Sequence, residues 1–87
     1  VYEATAWAFN SAGNRIVMMV VFLDADNREI PGSGRTVSLE SDSWTQISVT
    51  SRPAPLDSVQ VRVMFWQNEV TKGSFTYVDD IQLVKVQ

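Results

Sequence analysis

Apolar and polar residues alternate along most of this chain with a period of two, and turn-forming residues cut the alternation into short runs. That is the pattern of half-buried β-strands. In the run from Val59 to Trp66, Val59, Val61, Val63 and Phe65 share one face, while Gln60, Arg62, Met64 and Trp66 share the other. From Trp44 to Thr50, Trp44, Gln46, Ser48 and Thr50 alternate with Thr45, Ile47 and Val49. Val1 to Phe9 and Arg35 to Leu39 read as further strands, and Ser74 to Val86 as the last strand or two. Arg15 to Asp24 differs, because its middle is apolar on both faces. This predicts a central strand with something packed on each side. Its β-branched Ile16, Val17, Val20 and Val21 favour strand over helix.

Turns fall between these runs. Ser11-Ala12-Gly13-Asn14 and Asp24-Ala25-Asp26-Asn27 carry residues that accept positive φ. Arg28 to Ile30 is a short return, Pro31-Gly32-Ser33-Gly34 a loop, and Glu40 to Ser43 a polar turn. Pro53 and Pro55 exclude a central strand over Ser51 to Asp57. Gln67 to Gly73 is a polar connection. The prediction is an all-β fold: an antiparallel β-sandwich or jelly roll of about six or seven strands with no substantial helix, forming one domain over residues 1–87.

Composition narrows the chemistry. The chain has no cysteine and no histidine, so it holds no disulfide, no Ser-His-Asp triad, no Cys-His pair and no zinc-hydrolase site of its own. Ten acids against seven bases give a net charge of −3, which argues against a nucleic-acid partner. The longest apolar run, Ile16 to Leu23, is far short of the roughly 20 residues of a membrane helix. No membrane partner is expected. No Gly-rich phosphate loop is present, and Glu3, Glu29, Glu40 and Glu69 fall on different strands and loops. Asp79 and Asp80 are adjacent, so on a regular strand they point to opposite faces and cannot flank one glycosidic bond. No catalytic residues are expected.

One face has the chemistry of a sugar-binding surface. Gln60, Arg62, Met64 and Trp66 combine a flat ring with hydrogen-bonding groups, and pyranose rings are held by an aromatic face plus a few placed polar groups. Trp7 could join from another strand, and Gln67 and Asn68 lie at the end of the run. The competing reading is that Trp66 covers the core or sits at the rim. Trp44 reads as a core or loop-packing residue. Asp24-Ala25-Asp26-Asn27 lacks the Gly and terminal Glu of a calcium loop and reads as a hairpin turn.

Three segments, in order and spacing, carry a resemblance across nearly the whole chain: Ala4-Thr5-Ala6-Trp7-Ala8, Val21-Phe22-Leu23-Asp24-Ala25-Asp26-Asn27-Arg28-Glu29-Ile30, and Phe75-Thr76-Tyr77-Val78-Asp79-Asp80-Ile81-Gln82-Leu83. Together with Trp44 opening a middle strand, they resemble the galactose-binding-like jelly rolls among bacterial carbohydrate-binding modules, such as those appended to xylanases. The resemblance implies a secreted or cell-surface, non-catalytic polysaccharide- or oligosaccharide-binding module of a polysaccharide-active enzyme, with the Trp66 strand on the ligand-binding sheet. It also implies a structural calcium near Asp80, held together with groups from an N-terminal strand. Modules of this kind carry one or two strands ahead of the segment matched by Ala4–Ala8. The resemblance therefore implies that this chain is the C-terminal part of a longer module, completed by an N-terminal fragment or by a second copy. A structural or assembly domain mediating protein–protein association is the alternative, since such folds also serve as spacers.

Overall fold

A computed structural model describes residues 1–11, 14–68 and 75–87, with the side chain of Asn68 outside that description. Among the described residues there are six strands and no helix: β1 Tyr2–Asn10, β2 Arg15–Leu23, β3 Arg35–Leu39, β4 Thr45–Thr50, β5 Gln60–Asn68 and β6 Thr76–Lys85. They form two antiparallel three-stranded sheets, β4-β1-β6 (sheet A) and β3-β2-β5 (sheet B), packed as a small β-sandwich. The predicted all-β class holds, and the last segment is one strand rather than two. The predicted turn at Ser11–Asn14 falls partly outside the described residues, and the connection from Gln67 to Gly73 largely so.

Alternation decides what lies between the sheets. β1 turns Ala4, Ala6 and Ala8 inward, β4 turns Ile47 and Val49, and β2 turns Ile16, Met18 and Val20. Val37, Leu39, Val61, Val63, Phe65 and Val78 pack against this cluster while partly exposed. The alanines of β1 let the sheets approach closely, which suits a domain only 16 Å across its thinnest axis.

β2 is the central strand of sheet B, as its two-faced apolarity predicts. Its outward-facing Val17, Val21 and Leu23 are buried as well. The segment after β2 supplies part of their cover. A Cβ at Gly34 would stand 3.1 Å from Met19 Sδ and 3.7 Å from Val21 Cγ2, so the chain passes directly over these side chains. Asp24 sets up that return. Its Oδ1 accepts from the backbone N–H groups of Asp26 (2.9 Å) and Arg28 (3.1 Å), and Asn27 takes φ 62°. Buried Ser33 then closes the loop, its hydroxyl donating to Ile30 O at 2.7 Å and accepting from Phe22 N–H at 3.2 Å.

Asn10 ties the two sheets at one end. Its Nδ2 donates to Leu39 O of β3 at 2.9 Å, and its Oδ1 accepts from Thr76 Oγ1 of β6 at 2.8 Å. It is 1% exposed, so these bonds replace water that cannot reach it.

The sandwich is closed unevenly. Among the described residues β5 and β6 are outer strands of their sheets, each hydrogen-bonded to a strand on one side only. Leu83, opposite inward-facing Ala4, and Ile81 remain 38% and 53% exposed. A hollow of about 200 Å³ is lined by Tyr2, Phe22 and Val61 together with Ala54 and residues 58–60.

Candidate functional site

Most of the aromatic residues gather on the outer face of sheet A. Trp7 and Phe9 alternate with the inward alanines of β1, so both rings point away from the core. Phe9 pairs with Tyr77 of β6, and its ring lies 6.0 Å from Trp44, 6.1 Å from Phe75 and 6.4 Å from Tyr77 between centroids. Phe75 and Tyr77 are 5.2 Å apart. These separations are those of favourable aromatic pairs, so the rings support one another in place. Trp7, Trp44, Phe75 and Tyr77 are all exposed.

Beside this cluster lies a shallow hollow of about 220 Å³ lined by Trp7, Trp44, Asp79 and Asp80. A break in the sheet creates it. β6 pairs regularly with β1 from Thr76 to Asp79 and from Gln82 to Lys85, but Asp80 and Ile81 together face the single residue Ala6. This is a β-bulge, with Asp80 at φ 51° and its N–H donating to Asp79 Oδ1 at 2.9 Å. Asp is among the few residues that take this conformation readily. The bulge corrects the expectation for the acidic pair. On a regular strand Asp79 and Asp80 would point to opposite faces; the extra residue breaks the alternation, and both line the same hollow.

Trp44 is a second correction. It is 51% exposed and lines the hollow, which overturns the core placement and leaves it beside the 41–43 turn. It precedes β4, outside the paired strand, where the turn from Ser41 to Ser43 sets its place. Its parity with Gln46, Ser48 and Thr50 is the signal that places it outward.

The face built on β5 is a separate place. Gln60, Arg62, Met64 and Trp66 do share the outer face of sheet B, since Val61, Val63 and Phe65 point to the core. Trp66 is 38% exposed opposite Val17, and Arg62 Nη2 reaches Asn27 Oδ1 at 3.4 Å. Trp7 does not join it, because β1 and β5 belong to different sheets and the two indoles lie on opposite outer surfaces. Gln67, opposite inward-facing Ile16, falls on the parity of Phe65 and not of Trp66. Asn68 ends β5 opposite Arg15, and its side chain lies outside the described residues.

Asp79 and Asp80 supply two carboxylates, whereas calcium takes about six to eight oxygens. Among the described residues no group of three or more metal-ligating side chains stands together. Calcium at Asp80 would therefore draw most of its ligands from backbone carbonyls and water.

The hollow thus offers two partly exposed indoles with two acidic residues at one side, and Gln46 opposite Trp7 on β4. Such a surface can hold a flat, partly apolar, hydroxylated ligand. In comparisons with known proteins, no family model, no curated protein and no solved structure matches this chain.

Proposed function

We propose that this domain is a non-catalytic glycan-binding module, of the kind that holds a secreted bacterial polysaccharide-active enzyme on its substrate at or outside the cell surface. The observation that supports it is the exposed Trp7–Trp44 hollow with Asp79 and Asp80 at its side. A pyranose presents C–H groups on its face and hydroxyls at its rim. The indoles meet the first and the carboxylates accept from the second. An open, shallow site of this size contacts one or two rings, so useful retention on a polymer comes from repeated weak engagement along the chain.

Titration with soluble polysaccharides, followed by tryptophan fluorescence, tests the reading. Trp7→Ala and Trp44→Ala are each expected to weaken binding about tenfold, the equivalent of about 1.4 kcal/mol for one lost stacking ring. Trp66→Ala, on the opposite surface, is expected to leave binding unchanged. Loss of binding in Trp66→Ala alone would move the site to sheet B. No response to any glycan by the folded wild type would remove the proposal.

A second reading, a structural or assembly domain, draws on the open side between β5 and β6. Half-exposed inward-facing Ile81 and Leu83 and the two unpaired strand edges suit an added strand from another polypeptide or a second copy. Sedimentation of the purified domain separates the two readings, since assembly predicts a concentration-dependent dimer.

A further inference from the structure

Among the described residues, the charged groups shown at the Trp7–Trp44 hollow are acidic. On the outer face of sheet A the described carboxylates are Asp79, Asp80 and Glu3, the last accepting from Ser48 Oγ at 3.5 Å. Among the described residues no base is ion-paired with these carboxylates. Arg15 is paired with Glu40 at 2.7 Å, and Arg62 lies on sheet B. Lys85 sits opposite Tyr2, on the inward parity of Leu83. Arg52 follows β4 and lies six positions beyond Gln46, the residue opposite Trp7, or about 20 Å along an extended chain. Asp79 Oδ1 accepts only the N–H of its neighbour Asp80 among the described contacts, and neither carboxylate has a described cationic partner.

Two carboxylates with no described cationic partner, beside two exposed indoles, attract a cation by two independent routes. The carboxylates act through charge, and the negative faces of the indoles act through cation–π attraction. We infer that the hollow selects glycans bearing a protonated amine, 2-amino-2-deoxyhexose units, over the corresponding neutral sugars, and disfavours uronic-acid polymers. The inference rests on the glycan-binding reading of this hollow. It adds a charge preference that stacking alone does not supply.

Calorimetric titration with three oligosaccharide probes of equal length tests it: β-1,4-linked glucosamine, its fully N-acetylated form, and an oligogalacturonate, each at low and at high salt. The glucosamine oligomer is expected to bind about three- to tenfold tighter than the acetylated one at low salt, with the ratio shrinking as salt rises. The double variant Asp79→Asn, Asp80→Asn is expected to abolish the ratio and still fold. Asn keeps an Oδ1 for the Asp80 N–H bond and tolerates the positive φ of the bulge. Equal affinity for the glucosamine and acetylated oligomers overturns the inference but leaves glycan binding intact. A preference that survives in the double variant overturns it as well. Binding to none of the probes, nor to any neutral polysaccharide, removes both readings together.

Discussion

Replacing Asn10 by alanine tests how the two sheets are held at the aromatic end of the domain. The side chain is 1% exposed and bonds to sheet B through Leu39 O and to β6 through Thr76 Oγ1. Alanine leaves both groups without that partner. A fully buried orphan costs about 1–3 kcal/mol, and because Leu39 and Thr76 are only half-buried, water recovers part of it. The sum, with the lost packing of the truncated amide, is about 2–3 kcal/mol. For a domain of this size that corresponds to a fall in melting temperature of about 8–20 °C. Urea unfolding followed by tryptophan fluorescence gives the free energy directly, with the slope against urea expected to stay constant. Thr76→Val alone is expected to cost about 1 kcal/mol, and the double variant less than the sum of the singles, by about 0.5–1.5 kcal/mol. Asn10→Asp is expected to be worse than alanine, since it removes the donor and sets a carboxylate against the Leu39 carbonyl. An Asn10→Ala variant within about 0.5 kcal/mol of wild type would refute the idea that this amide joins the sheets, and full additivity with Thr76→Val would refute the separate contribution of its bond to β6 within sheet A.

Other substitutions probe the bulge, the core and the open side. Asp80→Val forces a β-branched residue into φ 51° and is expected to cost about 1–2 kcal/mol, whereas Asp80→Gly is expected to cost little; thermal melts distinguish them. Met18→Ala, at a fully buried site, is expected to cost about 2–5 kcal/mol in urea titration, while Leu83→Ser, half-exposed, costs about 1 kcal/mol or less. Gly34→Ala meets only the flexible Met19 thioether at 3.1 Å, so its melt is expected to shift by no more than the equivalent of about 0.5 kcal/mol. Calcium at Asp80 is checked by melting the domain in calcium and in chelator; identical melting temperatures in both dispose of it.

The strands and their inward faces were legible because period-two alternation is a local property. Val61, Val63 and Phe65 turn to the core as their spacing requires, and β2 is central because both of its faces are apolar. The relation between strands is not local. Nothing in the spacing of Trp7 and Trp66 says that β1 and β5 lie in different sheets, since pairing is set by distant contacts. The acidic pair misled for a different reason. Alternation assumes a regular ladder, and a single bulge at Asp80 cancels it, though an Asp-Asp pair inside an apolar run is itself a place where a bulge is cheap. Trp44 was undervalued because it lies outside the paired strand, although its parity with exposed Gln46 and Ser48 marked it as outward.

The bulge also bears on solubility. After Asp80, β6 continues as Ile81-Gln82-Leu83-Val84, a short uncharged β-prone stretch on a strand whose outer edge is unpaired, which is a template for cross-β stacking between molecules. Asp79 and Asp80 on one side and Lys85 on the other flank that stretch as gatekeeper charges do, and the kink at Asp80 confines any added strand to the segment after the bulge. The same two carboxylates that line the hollow are therefore expected to slow fibril formation. Neutralising them is expected to shorten the lag time of aggregation, so a sequence that trades these acids for another ligand must place its negative charge elsewhere along β6.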